Sequence, residues 1–199
     1  MPHLFTKSGT LIVFALKVEA QGLFDDLHKV YSGVGKVNAA FHLTRELMSW
    51  QHKHGSQPSL VLNLGSAGSS HFKAGTLVNC TQFIQRDMDT TALGTEAYAT
   101  PFDDGPLMLT NGLRIKGHAE GACGSGDNFV TDGKVGPWNV VDMEAYALAK
   151  VCSLENVPFG CVKFITDGAD GHAAATWETA LADAARGLRH ALEVILSGP

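Results

Sequence analysis

Apolar positions along the chain keep two rhythms, and the two alternate. Dense runs such as GTLIVFAL (9–16), PSLVLNLGSAGS (58–69) and PFGCVKFITDGAD (158–170) are short and bounded by Gly, Pro or Asp. A continuous apolar run of that length predicts a strand buried on both faces. Between the runs, apolar residues recur every three or four positions, the spacing of a helix face. Val18, Leu23, Phe24, Leu27 and Val30 predict a helix over 17–30. Ala39, Ala40, Leu43, Leu47 and Trp50 predict a second one after a Gly-rich turn, with Gly55 as its stop. TWETALADAARGLRHALEVIL predicts an amphipathic C-terminal helix with Thr176 as N-cap. GTLVNCTQFIQRD (75–87) reads as an extended stretch, 88–105 as loop, and RIKGHAEGACGSGDNF (114–129) as a strand running into a polar turn. NVVDMEAYALAKVCSLENV (139–157) reads as a strand ending near Asp142 and feeding a helix. With no repeat, low-complexity tract or linker, this order predicts one α/β domain over 1–199 with helices on both faces of a sheet.

Composition narrows the function classes. At 199 residues, 45% hydrophobic and 18% charged, the chain can build a full core. A net charge of −5 and a pI near 5.9 argue against a nucleic-acid binder, without excluding a nucleoside as a small ligand. No apolar run reaches the roughly 18 residues of a membrane span, and LIVFAL is too short and lacks a cleavage site, so it reads as a strand and not a signal peptide. Cys80, Cys123, Cys152 and Cys161 form no CxxC pair and lack His at metal-ligand spacing. They read as reduced, buried thiols of a cytoplasmic protein, with no metal and no cofactor expected.

The polar residues collect where such a sheet places its ligand, beyond the carboxyl ends of its strands. Glu19 follows LIVFAL, Gly65-Ser66-Ala67-Gly68 ends LVLNL, Ser125-Gly126-Asp127 precedes Phe129, Asp142 and Glu144 end VV, and Asp167 ends CVKFI. Acids gathered at one edge suit hydroxyl and ring-nitrogen recognition or general acid–base work. Singly, each motif is weak. GVGKVN fits a dinucleotide fingerprint poorly because Asn38 takes the third Gly position, and no Ser or Thr follows Lys36 as a P-loop requires. Each also has a structural alternative: Glu19 a first-turn residue favoured by the helix dipole, Asp167 a turn former, Phe129 and Trp177 core aromatics, and Lys163 the partner of an internal acid.

Jointly and in this order, SGVGKVNAA, NLGSAGS, SGDNF, VVDMEAYALAKVC, VPF and ITDGAD resemble the purine nucleoside phosphorylase and nucleosidase family, nearest to its 5′-methylthioadenosine/S-adenosylhomocysteine nucleosidase branch. The resemblance runs from about residue 10 to the end. It implies a three-layer α/β/α sandwich around a mixed, partly barrel-like sheet, and cleavage of a ribosidic C–N bond by water or phosphate. It implies further that Asp167 protonates the leaving base, that Glu19 orients and deprotonates the attacking water, and that Glu144 grips the ribose hydroxyls with Met143 packed under the sugar. Phe129 would stack on the base, the Val130 backbone would read its edge, and Ser66 would lie near the anomeric carbon and the water. Lys163 stands where relatives usually carry Arg near the water, and Trp177 where they place an aromatic residue over the 5′ group.

Asp142 and Glu144 cannot both serve one site from a regular helix, where residues two apart point about 200° from each other. Since the resemblance gives Glu144 the ribose hydroxyls, Asp142, although counted with the substrate-binding residues, is read first as a cap or support. Water is favoured over phosphate because Asn63 and Leu64, and no Arg, precede Gly65, and because Glu19 would repel a dianion; Arg86 keeps the phosphorylase alternative open. A non-catalytic nucleoside-binding protein is the other alternative. The family's strand hairpin before the GVGK turn has almost no room in DDLHKVYSGVGK. That segment contributes to the pocket wall and sometimes to a dimer contact, so the sequence leaves the 5′ group open and makes a homo-oligomer, a dimer first, the expected assembly.

Overall fold

Strands predicted from unbroken apolar runs are the frame of the molecule. The computed structural model describes residues 5–115, 117–134, 136–170 and 173–197. In chain order its elements are β1 (Thr10–Phe14), α1 (Lys17–Ala20), β2 (Lys29–Tyr31), α2 (Lys36–His54), β3 (Leu60–Gly68), β4 (Leu77–Gln85), β5 (Met108–Leu109), β6 (Ala119–Ser125), β7 (Val140–Asp142), α3 (Ala145–Leu154), β8 (Phe159–Asp167) and α4 (Ala173–Ser197). Single 3₁₀ turns occur at Lys7–Gly9 and Thr91–Leu93.

All eight strands belong to one mixed sheet. β3, β4 and β8 are each nine residues long, about 30 Å of extended chain, and that length lets each serve different neighbours along its course. β3 pairs in parallel with β1 over Leu60–Asn63 and with β8 from Val61, then meets β7 at Gly68. β4 begins antiparallel to β8 at Leu77–Asn79, continues parallel to β6, and ends against β5. Since β6 pairs with β7, the strands β3, β7, β6, β4 and β8 close a five-membered ring, with β1 and β2 extending from it. Register shifts at Ala67/Gly68 and Cys80/Gln82 fall on ring strands, where a bulge adds the local twist that closure needs.

The layers follow from alternation. In β1, Leu11 and Val13 enter one core with Ala39, Leu43, Leu47 and Trp50 of α2 and the buried face of α3. Ile12 and Phe14 enter a second core with Phe24, Leu62, Leu64, Leu188 and Leu192. A strand whose residues are all buried is what two covered faces require. The α2 stripe and its stop match expectation: Gly55 adopts φ 72 and its N–H bonds to the Gln51 carbonyl at 2.9 Å.

Two boundaries differ from the pattern. The helix predicted over 17–30 ends at Ala20, because Gln21 (φ 46) and Gly22 (φ 73) turn left-handed. Phe24 and Leu27 still bury, but from successive turns, while Val30 joins β2 and pairs with Val13. The exposed β1 edge outcompetes further helix. α4 begins at Ala173, ahead of Thr176, so the capping position read from the sequence lies inside the helix. Among the described residues no helix is long and apolar enough to cross a membrane.

Candidate active site

The carboxyl ends of β1, β3, β7 and β8 open on one cavity of about 260 Å³. Asp167, Glu19, Glu144, Met143, Phe129, Val130, Ser66, Trp177 and Asp142 all line it. Lys163 does not; it lies beneath, 2% exposed.

On the β1 side, the one-turn helix α1 places Glu19 inward and 4% exposed. Its Oε1 accepts from the Ser66 N–H at 2.9 Å and from Ser66 Oγ at 2.8 Å, and its Oε2 accepts from the Leu16 N–H at 3.0 Å. Gly65 makes this approach possible: a Cβ there would stand 3.2 Å from Glu19 Oε1 and 3.5 Å from Lys163 Nζ. Glu19 is thus a buried side chain oriented by three donors, and not a solvent-facing first-turn residue held only by the helix dipole.

At the end of β8, Asp167 is 6% exposed. Its Oδ2 accepts from Thr166 Oγ1 at 2.7 Å and its Oδ1 from the Ala169 N–H at 2.9 Å. Gly68 lies against it, and a Cβ at that position would come within 2.7 Å of Asp167 Oδ1. β3 therefore carries two glycines for two carboxylates, one beside Glu19 and one beside Asp167.

The junction after β7 separates its two acids as the spacing demands. Asp142 points under the pocket floor, with Oδ1 accepting from Ser125 Oγ at 2.5 Å and Oδ2 from the Ala145 N–H at 2.9 Å. The Lys163 ammonium sits 2.8 Å from Asp142 Oδ2. Burial alone would push the Asp142 carboxyl up, but Lys163 first, then Ser125 and Ala145, hold it below the ordinary carboxylate range. Burial likewise opposes the Lys163 charge, and Asp142 above all overcomes it, so the ammonium pKa rises. Lys163 is accordingly the partner of an internal acid rather than a pocket residue, and Asp142 caps the start of α3. The strand pattern gave Lys163 no visible partner, because Asp142 is brought to it only by ring closure.

Glu144 faces the cavity, 6% exposed, and its Oε1 accepts from the Gly35 N–H at 2.9 Å. Burial first and the Asp142 carboxylate second push its pKa up to about 7, against the pull of Lys163 and of the Gly35 N–H. Gly35 belongs to the turn that failed as a phosphate cradle; here that turn's free N–H orients a carboxylate instead, and Val34 beside it lines the cavity.

Across the pocket, Phe129 is 49% exposed and Val130 adjoins it, so Phe129 is a wall aromatic and not core. Arg86, read from the sequence as a possible anion site, is spent on this loop. It donates to the carbonyls of Gly124, Gly126 and Asn128 and to Asn128 Oδ1. Lys36 ties the facing turn to the same loop through Asp87 at 2.5 Å, while its N–H bonds to Asp127 Oδ1 at 2.7 Å. Trp177, near the start of α4, donates its indole N–H to Ser66 Oγ at 2.8 Å. Thr166, which follows CVKFI at the ligand edge, also lines the cavity, and sequence reasoning missed Asn128, Val34 and Leu16 as lining residues. Asn128 and Val34 were signalled only by lying inside the SGDNF and SGVGKVNAA motifs, and Leu16 not at all. Among the described residues no three His, Cys, Asp or Glu side chains gather as a metal set.

The phosphorylase superfamily model matches residues 25–197. The 5′-methylthioadenosine/S-adenosylhomocysteine nucleosidase of Actinobacillus succinogenes is 32% identical over 203 aligned positions, covering 90% of this chain and 83% of the relative. A Haemophilus influenzae protein of the same name is 32% identical, covering 91% and 83%. Among solved structures, the Helicobacter pylori 5′-methylthioadenosine/S-adenosylhomocysteine nucleosidase, complexed with a substituted pyrrolidinol, superposes with a TM-score of 0.81 at 20% identity, covering 96% of this chain and 99% of the other. Futalosine hydrolase of the same organism superposes with a TM-score of 0.80 at 21% identity, covering 96% and 98%. The closed ring with its flanking strands and helices is the fold of these proteins, and the chain belongs to the phosphorylase superfamily.

Proposed function

We propose that this domain hydrolyses the N-ribosidic bond of an adenine-type purine nucleoside, such as 5′-methylthioadenosine or S-adenosylhomocysteine, releasing free base and sugar. The observation that carries the reading is the convergence of Glu19, Glu144 and Asp167 on one cavity, each in a different hydrogen-bond environment. The curated relatives' names support it.

In the proposed step the C1′–N9 bond breaks as positive charge builds on the ribose ring, and the departing purine takes a proton at N7 from Asp167. Water bonds to C1′ and gives its proton to Glu19. The base leaves neutral, the sugar gains a hydroxyl, and solvent exchange restores the two carboxyls. Glu144 accepts hydrogen bonds from the ribose hydroxyls over Met143, Phe129 stacks on the purine, and the Val130 backbone reads its edge. Asp142 and Lys163 act from below, holding the floor on which Glu144 turns.

Water is favoured over phosphate for two reasons. Glu19 puts an acidic side chain into a buried part of the cavity, which disfavours a dianion there. Arg86, the arginine of the cavity wall, has four of its five N–H donors on loop carbonyls and Asn128 Oδ1. The likeness to a futalosine hydrolase as well as to methylthioadenosine nucleosidases leaves the 5′ group to experiment. The same reading carries a cytoplasmic location and a homodimer. Four free buried cysteines support the first. A stripe of exposed apolar side chains on α2, Val37, Phe41 and Met48, supports the second.

A panel of purine nucleosides, with and without phosphate, resolved by chromatography, tests the reading. Free adenine with a reducing sugar, at a rate indifferent to phosphate, is expected; ribose 1-phosphate as product, or no cleavage of any nucleoside, overturns it.

A further inference from the structure

Trp177 was expected to close the pocket over the 5′ group, yet its one polar atom is engaged elsewhere. The indole Nε1–H points at Ser66 Oγ, 2.8 Å away, and Ser66 Oγ lies 2.8 Å from Glu19 Oε1. An indole N–H only donates, and a serine hydroxyl has one proton and two lone pairs. The direction of the chain is therefore fixed. Trp177 occupies a lone pair of Ser66, and Ser66 must spend its single proton on Glu19, the acceptor within reach. Were the indole absent, the hydroxyl would still donate to the carboxylate, but nothing would hold its orientation from the other side and its lone pair would be open to water.

The consequence lies in the carboxylate. Two oxygens offer about four acceptor positions. Oε1 takes two donors, the Ser66 N–H and hydroxyl, and Oε2 takes one, the Leu16 N–H. One position remains, on Oε2. We propose that Trp177 is a positioning residue for the hydrolytic step: it holds and polarises the Ser66 hydroxyl on Oε1, which keeps Glu19 oriented with Oε2 as the oxygen open to the proton of the attacking water. Polarisation along such a chain strengthens each bond in it. The same indole joins α4, the helix that follows β8 and its Asp167, to Ser66 of β3, the residue that holds Glu19.

This inference rests on the hydrolase reading, and two measurements keep the two apart. The first needs no substrate. The Trp177 indole proton, assigned by its loss in Trp177→Phe, should exchange slowly with solvent in the parent and at least about tenfold faster in Ser66→Ala. Equal exchange in both overturns the inference even if the protein is a hydrolase. The second is kinetic, once the parent has been shown to cleave. Trp177→Phe should lower kcat about 5- to 10-fold, the worth of one hydrogen bond of about 1–1.5 kcal/mol, with KM within about twofold. The drop should be equal for adenosine and 5′-methylthioadenosine. In Ser66→Ala the further change Trp177→Phe should cost nothing, since the indole acts through the absent hydroxyl. Multiplicative losses, or a KM effect confined to the 5′-substituted nucleoside, would make Trp177 a pocket wall and overturn the proposal. Benzothienylalanine at position 177, which has the indole shape without its N–H, must reproduce the phenylalanine result; full activity there overturns it too.

Discussion

Replacing Lys163 by Met should be among the most damaging single changes outside the cavity. The ammonium and the Asp142 carboxylate are 2.8 Å apart, with side chains 2% and 1% exposed. At an effective dielectric of about 20 their attraction is about 6 kcal/mol gross, much of it offset by the cost of burying both charges. Removing one partner leaves that cost without its compensation. Asp142 would keep Ser125 and Ala145 as donors, but an uncompensated buried carboxylate of this kind costs about 3–5 kcal/mol. Urea unfolding followed by circular dichroism at pH 7 would read this as a lowered midpoint with an unchanged slope. The double variant Lys163→Met with Asp142→Leu should recover most of the loss, because an apolar pair of similar volume has no desolvation to offset. A single variant within about 1 kcal/mol of the parent would refute the reasoning. Because Lys163 also draws the Glu144 pKa down, its removal should carry that pKa further above 7.

Other consequences follow from the same geometry. Glu144 binds its proton more tightly folded than unfolded, so its contribution to stability is complete below about pH 4.5 and is lost as pH rises through about 7. The loss is about 3 kcal/mol, and Glu144→Gln should remove it from the pH dependence of the urea midpoint. If the Glu144 carboxylate receives the ribose hydroxyls, kcat/KM should also fall on the acid side with an apparent pKa near 7; a flat profile between pH 5 and 8 would contradict that role. Gly68→Ala sets a Cβ within 2.7 Å of Asp167 Oδ1. Displacing that carboxyl by a fraction of an ångström to an ångström should lower kcat by about 100-fold with the circular dichroism spectrum unchanged, and a variant within threefold of the parent would remove Asp167 from the reaction.

Much of this was legible in the sequence where burial is complete and local. β1, β3 and β8 announce themselves because strands covered on both faces cannot alternate, and α2 because its stripe and its Gly55 stop are local properties. The spacing of Asp142 and Glu144 anticipated their different hydrogen-bond partners, Ser125, Ala145 and Lys163 for the first and Gly35 for the second. What was not legible depends on partners chosen at long range. The segment after Ala20 carries helical spacing, yet two left-handed residues and an unpaired strand edge decide its fate. Ring closure comes from nine-residue strands changing neighbours along their length, which no run of apolar residues records. Lys163 shows the same limit. A lysine inside an apolar strand signals an internal acid, but only the ring identifies it as Asp142. Trp177 was visible as an aromatic residue near the cavity; that its N–H would be committed to Ser66 was not, since the bond joins residues 111 positions apart.

The central claim is that water, oriented by Glu19, displaces a purine protonated by Asp167. Turnover of 5′-methylthioadenosine and adenosine in ¹⁸O-labelled water containing phosphate, with products read by mass spectrometry, tests it most directly. The account predicts free adenine, one ¹⁸O at the anomeric carbon of the sugar, and loss of this product in Glu19→Gln and in Asp167→Asn. Ribose 1-phosphate without label, or Glu19→Gln cleaving as fast as the parent, would contradict it.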